Sequence, residues 1–305
     1  MWGFCIMIFA LAGCWLFFVA PGRSEKHQRA PFEHRTFAHR GLYAKDQCIP
    51  ENSLPAFDAA VQANYGIELD IQLTKDRQVV VFHDENLLRM CGVDARVDAF
   101  TYAELCSLQL CNSGHRIPLF SDVLSIINGR VPLIIELKPG GAWQENCALA
   151  LTLLRTYRGA YCVESFHPRM VLWFRKHAPD ILRGQLSEAY RFSNGTIPWY
   201  QSLLMSRVLT NVITRPQFLA YRIGPKCLSA RTTEWLGAMR ISWTAHPDDD
   251  WNQLKTISDC IIFEHMRPEK FFGNPKSPLA EAIDQIDQEI KKKQQAYVTA
   301  TNKPQ

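Results

Sequence analysis

The stretch Gly66–Asp84, GIELDIQLTKDRQVVVFHD, gathers residue types that move protons and hold cations. Over Ile67–Thr74 apolar and polar residues alternate with period two, as in a strand. Glu68, Asp70 and Gln72 then share one face, and Ile67, Leu69, Ile71 and Leu73 the other. Neighbouring carboxylates on an apolar strand repel each other and lose hydration. They persist only where a cation or a shared proton offsets that cost. Lys75-Asp76-Arg77 makes a turn, and Val79–Phe82 returns as a second apolar strand, bringing His83-Asp84 near the carboxylates. Two acids and a histidine joined in this way suit metal-assisted acid–base chemistry. A solvated strand face ending in an N-cap Asp is the plainer alternative.

Other strands end in similar residues. Thr36–Gly41 reads as a short strand that gives way to a Gly turn at His39-Arg40. Pro50-Glu51-Asn52-Ser53 follows, with Asn52 or Ser53 as N-cap of a helix over Leu54–Asn64. Strand, helix and carboxylate strand form a βαβ unit whose strands run parallel and adjacent. After capped helices at Thr101–Leu108 and Ser121–Asn128, Val131–Lys138 is a buried-strand pattern that ends in Glu136 and Lys138. Further strands are expected at Tyr161–Phe166, Leu182–Ser187, Phe218–Arg222, Arg240–Ala245 and Cys260–His265, with helices such as Pro168–His177 and Arg231–Gly237 between them. The turn before Val79–Phe82 is too short for a parallel crossover, so that strand is antiparallel. The remaining strands and helices predict an α/β fold, a (β/α)8 TIM barrel with a hairpin extension after strand 2. His39, Glu68, Asp70, Glu136 and Lys138 then fall at the C-terminal strand ends, where such barrels collect their chemistry.

A chain of 305 residues with 47% hydrophobic content has ample material for one large core. The net charge of +4 is spread without a Lys/Arg block, which argues against nucleic-acid binding. Ten cysteines without framework or zinc spacing fit a reducing compartment better than a disulfide scaffold. Trp2–Ala20 carries no charged side chain and reads as a transmembrane helix, with Arg23, Lys26 and Arg29 after it placing the body on the cytoplasmic side. Leu11-Ala12-Gly13-Cys14 looks like a lipobox, but the apolar run continues past Cys14, so a lipoprotein is the minor alternative. The expected organisation is a membrane anchor over residues 1–21, a linker over 22–35, the barrel over 36–278 and a polar tail over 279–305.

Ala38-His39-Arg40-Gly41, Pro50-Glu51-Asn52-Ser53, Glu68-Leu69-Asp70, Val81-Phe82-His83-Asp84 and Ile135-Glu136-Leu137-Lys138, in this order, resemble the glycerophosphodiester phosphodiesterase family, which is similar in fold to phosphatidylinositol-specific phospholipase C. Glu164-Ser165-Phe166 and Ser242-Trp243-Thr244 extend the likeness over roughly residues 36 to 265. The resemblance implies His39 and His83 as catalytic histidines, Glu68, Asp70 and Glu136 as carboxylates for one divalent cation, and Arg40 and Lys138 as phosphate-contacting bases. Glu51 is a supporting residue, and Trp243 either packs at the barrel mouth or walls the substrate. Ser165 and Phe166 read as packing. The chain departs from the family at Phe263-Glu264, where a Thr-Asp pair is usual, and at His246, where Asn is frequent. Both departures are expected to bear on the choice of alcohol more than on the chemistry.

These residue types suit phosphodiester cleavage. Three carboxylates hold a hard cation, Mg²⁺ or Ca²⁺, through oxygen. Arg40 offers a planar fork to two phosphate oxygens, and Lys138 a point charge. One neutral imidazole accepts a proton while a protonated one donates to the leaving oxygen, with His39 read as base and His83 as acid. The substrates implied are glycerophosphodiesters or, in the phospholipase D manner, lysophospholipids, whose acyl chain would need a groove from Phe263, Trp243, Trp199 or Tyr200. A membrane-tethered binder without turnover would be favoured by loss of His39, His83 or a ligand, and all are present.

Overall fold

The computed structural model describes residues 2–189 and 199–272. The chain divides into a unit of residues 1–270 and a second unit, 271–305, of which only Phe271 and Phe272 are described. The expected polar tail, 279–305, lies outside the described residues.

Nine strands form one sheet: β1 (Arg35–Ala38), β2 (Gly66–Leu73), β3 (Val79–Val81), β4 (Leu133–Leu137), β5 (Tyr161–Ser165), β6 (Arg183–Ser187), β7 (Phe218–Arg222), β8 (Met239–Ala245) and β9 (Cys260–Phe263). β1 pairs in parallel with both β2 and β9, which closes eight parallel strands into a barrel. β3 pairs antiparallel on β2 as the hairpin extension, with Ile71 opposite Val81. Phe37, Ile134, Leu186, Phe218, Ile241 and Ile262 lie together in one buried apolar cluster. Gly66 is where Phe37 packs: a Cβ there would sit 2.4 Å from the ring, so β1 and β2 pair closely only with glycine.

Local sequence sets the helix ends. Ser53 caps helix Leu54–Gln62 through its hydroxyl, which accepts the Ala56 N–H, while Pro55 sits in the first turn. Helix Phe120–Ile127 starts one residue earlier than the pattern suggests and stops at Asn128, which takes the left-handed conformation. The segment expected at Thr101–Leu108 is a single turn, Tyr102–Leu105, closed by a Thr101/Glu104 capping box. The helix expected at Arg231–Gly237 runs over Leu228–Trp235, and β4 begins at Leu133 rather than Val131.

The structure gives the expected N-terminal span no support. Among the described residues no helix is long and apolar enough to cross a membrane. The apolar N-terminal run forms the helix α1 (Trp2–Val19). Its last turn is also seated in the protein. Val19 is buried, Arg215 donates to the carbonyls of Phe17 (2.6 Å) and Ala20 (2.9 Å), and Thr233 Oγ1 donates to Val19 O (2.9 Å). The start of α1 is exposed and apolar, with Trp2, Phe4, Ile6 and Phe9 open to solvent.

Candidate active site

Parallel register lines up the acids. Asp70 of β2 lies beside Glu136 of β4, and Glu136 beside Glu164 of β5. Glu68 stands one inward position earlier on β2. One ligand oxygen from each of Glu68, Asp70 and Glu136 lies within 4.8 Å of the others, and all three residues are buried. Lys138 Nζ bridges two of them, 2.9 Å from Asp70 Oδ1 and 2.8 Å from Glu136 Oε2. Burial and the charges of Asp70, Glu136 and Glu164 push the Glu68 carboxyl well above its usual range. Burial works against ionised Asp70 too, but Lys138, His83 and Arg40 outweigh it and hold that carboxyl well below. Glu136 is raised by burial, with Lys138 pulling the other way.

The four buried carboxylates Glu68, Asp70, Glu136 and Glu164 outnumber the two cations beside them, Arg40 and Lys138. Glu164 Oε2 is buried without a hydrogen-bond partner, and burial together with Glu136 and Asp70 pushes its carboxyl well up. An uncompensated, acceptor-only set of oxygens converging in this way fits a hard divalent cation. Glu164 is a member of this acidic group that the strand pattern alone did not single out. Its neighbour Ser165 is structural, donating to Leu137 O at 2.7 Å.

Each histidine leans on a carboxylate. His39 follows β1, and its Nδ1 is 2.8 Å from Glu264 Oε2 while Nε2 points towards Glu68, 3.9 Å from Oε2. Burial lowers the His39 pKa, only partly countered by Glu264. His83 follows β3, with Nδ1 2.7 Å from Asp84 Oδ1. Asp84 is gripped by Arg89 Nε at 2.6 Å, and His83 and Arg89 hold its carboxyl below the usual range against the cost of burial. Gln72 fixes the hairpin end by donating to the carbonyls of Phe82 (2.9 Å) and Asp84 (2.7 Å). The sequence pattern gave neither Glu264 nor Asp84 a histidine partner. The expectation that Phe263-Glu264 bears on the alcohol more than on the chemistry is therefore incomplete, because Glu264 touches His39 directly. The signal available was an acid one residue past the last strand of a barrel, which faces the first strand by closure.

Arg40 adopts a positive φ of 54° before Gly41 (φ 82°), a turn that aims its N–H at Glu68 Oε2, 3.1 Å away. Its guanidinium is partly committed: Nη1 donates to Glu51 Oε1 at 2.7 Å, and Nε lies 3.6 Å from Asp70 Oδ2. The full fork expected for phosphate is thus shared with the protein. Glu51 also receives Arg89 through both oxygens (2.7 and 3.0 Å), and Asn52 Nδ2 donates to Asp70 Oδ2 at 2.8 Å. The Pro50–Ser53 segment therefore both caps a helix and orients the site.

Two cavities flank the cluster. One, of about 650 Å³, is lined by His83, Arg89, Glu136, Lys138, Leu88 and Phe166. The other, of about 590 Å³, is lined by His39, Arg40, Tyr43, Arg222, Trp243 and His246 among others. Trp243 packs edge-on against Phe166 at 5.6 Å and lines the second cavity. Phe263 is buried against Tyr65, Tyr200 is half exposed, and the Trp199 side chain lies outside the described residues.

A closed parallel barrel with an acidic cluster and two carboxylate-backed histidines at its C-terminal mouth defines the class as a TIM-barrel protein with a carboxylate-and-histidine site. The family follows from comparison. Residues 39–218 match the glycerophosphoryl diester phosphodiesterase family, and the chain belongs to it. It is 31% identical over 181 residues to a glycerophosphodiester phosphodiesterase of Caldanaerobacter subterraneus, covering 55% of this chain and 71% of that protein. It is 39% identical over 155 residues to YhdW of Bacillus subtilis, covering 47% of this chain and 62% of that protein, so the chain spans less than two thirds of this relative. Among solved structures, a phosphodiesterase of Oleispira antarctica in complex with the product sn-glycerol-3-phosphate shares the fold, with a TM-score of 0.60 and 22% identity over 76% of this chain and 93% of that one.

Proposed function

We propose that the protein hydrolyses glycerophosphodiesters to glycerol 3-phosphate and an alcohol. The observation that carries this reading is the pair of carboxylate-backed histidines beside one buried acidic cluster. Glu68, Asp70 and Glu136 would hold a divalent cation, Mg²⁺ or Ca²⁺, which supplies Lewis-acid polarisation of the phosphoryl oxygen when bound. Lys138 and the free part of the Arg40 guanidinium neutralise phosphate charge. Ionised Glu264 is an acceptor only, so neutral His39 carries its proton on Nδ1 and presents a basic Nε2 to water or a glycerol hydroxyl. His83, held by Asp84, gives its proton to the leaving alkoxide. Support for the substrate class comes from the family and from the product seen in the Oleispira antarctica structure.

Lysophospholipids are the second reading. The human relative named lysophospholipase D GDPD1 is 34% identical over 127 residues, 39% of its own length. The exposed apolar start of α1 suits a lipid surface, with the body on the cytoplasmic face where anionic lipid attracts Arg23, Lys26 and Arg29. The test uses the full chain, stripped by chelator and given Mg²⁺ or Ca²⁺, with glycerophosphocholine and separately a lysophosphatidylcholine. Metal-dependent glycerol 3-phosphate from the first is the expected result. Choline released only from the second shifts the reading to the lipid, and no turnover of either overturns both.

A further inference from the structure

We propose that His246 is a positioning residue for the proton-accepting side of the site, acting on His39 through Glu264; the catalytic part of this rests on the reading above. Glu264 bridges two imidazoles with its two oxygens. Oε2 meets His39 Nδ1 at 2.8 Å and accepts the Tyr43 hydroxyl at 2.9 Å, while Oε1 meets His246 Nε2 at 2.7 Å. A carboxylate terminal torsion is broad, so partners on one oxygen leave the plane of the group free to swing. A partner on each oxygen fixes that plane, and with it the lone pair aimed at His39.

His246 is equipped for this because it is itself held. Its backbone N–H donates to Asp249 Oδ2 at 2.7 Å, and its carbonyl accepts from Trp251 Nε1 at 3.0 Å. The result is a chain from the turn after β8, through His246 and Glu264, to the ring that follows β1. It crosses the seam of the barrel at β8, β9 and β1, and none of its members touches the acidic cluster except His39. Loss of the His246 contact leaves Oε1 facing His265 Nε2 at 3.8 Å, beyond hydrogen-bond reach, and loosens the constraint that keeps the His39 proton on Nδ1. The population of His39 with Nε2 available as acceptor falls, while the leaving-group side, His83 with Asp84 and Arg89, stays as it is.

The test compares the full-length wild type with His246→Ala and His246→Gln, the amide being able to donate to Oε1. In ¹⁵N spectra of the metal-loaded protein without substrate, wild type and His246→Gln should show His39 as the Nδ1–H tautomer, and His246→Ala a mixture. With substrate, kcat of His246→Ala should fall on the order of tenfold, as expected for losing one charge-assisted hydrogen bond, with KM and metal affinity within about twofold of wild type. The loss should be as large on a nitrophenyl phosphodiester as on glycerophosphocholine, because a better leaving group does not relieve a weakened base. A His39 tautomer unchanged in His246→Ala, or a defect that vanishes with the nitrophenyl ester, overturns the proposal. A wild type inert on both esters, with a His39 tautomer that still follows residue 246, discards the substrate reading and keeps the positioning.

Discussion

Replacing Glu68 by Gln should separate stability from cation binding. Glu68 faces Asp70 and Glu136 with ligand oxygens within 4.8 Å. At an effective dielectric of about 20, each like-charge pair at that distance is worth about 3.5 kcal/mol of repulsion. Lys138, close to both other acids, and the raised pKa of Glu68 itself remove most of this. A remainder on the order of 1 kcal/mol is left for the amide to relieve, which raises Tm by about 2–4 °C in a chain of this size. Gln keeps an oxygen for the Arg40 N–H, so the turn after β1 is preserved. The cation response should go the other way. At a hundredfold excess over Kd, a bound ion stabilises wild type by about 2.7 kcal/mol. The variant, with one ligand neutralised, should show less than a third of that shift. Differential scanning calorimetry of both proteins, in chelator and across a Mg²⁺ or Ca²⁺ series, measures both quantities. A variant that melts no higher than wild type in chelator and keeps the full cation-induced rise would refute the assignment of Glu68 to a repelling, cation-holding cluster.

His83→Ala should lower turnover of glycerophosphocholine by about 10²–10⁴-fold while costing a nitrophenyl ester far less; equal losses in steady-state assays would remove the proton-donor role. In chelator, the Tm difference between Glu164→Gln and wild type should grow in the variant's favour from pH 5 to 8. The raised Glu164 pKa means that its stabilisation is present below about pH 4 and lost as pH climbs through the folded value; a flat difference would contradict this. Glu264 is depressed, so its stabilisation holds above about pH 4 and is lost as pH falls. Glu264→Gln should thus be most destabilised near pH 7, with the difference from wild type narrowing as pH falls below about 4 in thermal melts. Gly66→Ala puts a Cβ 2.4 Å from the Phe37 ring, and overpacking of this kind costs about 1–3 kcal/mol; urea titration showing an unchanged midpoint would mean that the β1–β2 pairing yields without cost.

Local pattern alone carried much of this molecule. Period-two alternation with acids on one face marked β2, a three-residue turn forced β3 to be antiparallel, and strands spaced by helices predicted eight parallel strands. These are consequences of side-chain direction and crossover length, which neighbours in the chain dictate. The residues at strand ends, His39, Glu68, Asp70, His83, Glu136 and Lys138, were legible for the same reason. What closure brings together was not. Glu264 meets His39 only because β9 pairs with β1, and Glu164 joins the acids only through the register of β4 with β5. Arg89, in the short helix Leu88–Cys91 after β3, pairs with Glu51 only because that helix packs beside the Pro50–Ser53 turn. The apolar N-terminal run reads as a span by composition, yet its last turn is pinned by Arg215 and Thr233, residues about two hundred positions away. Sequence determined which residues lie at the mouth of the barrel; tertiary structure decided which carboxylate backs which histidine, because a hydrogen bond is set by distance in space and not along the chain.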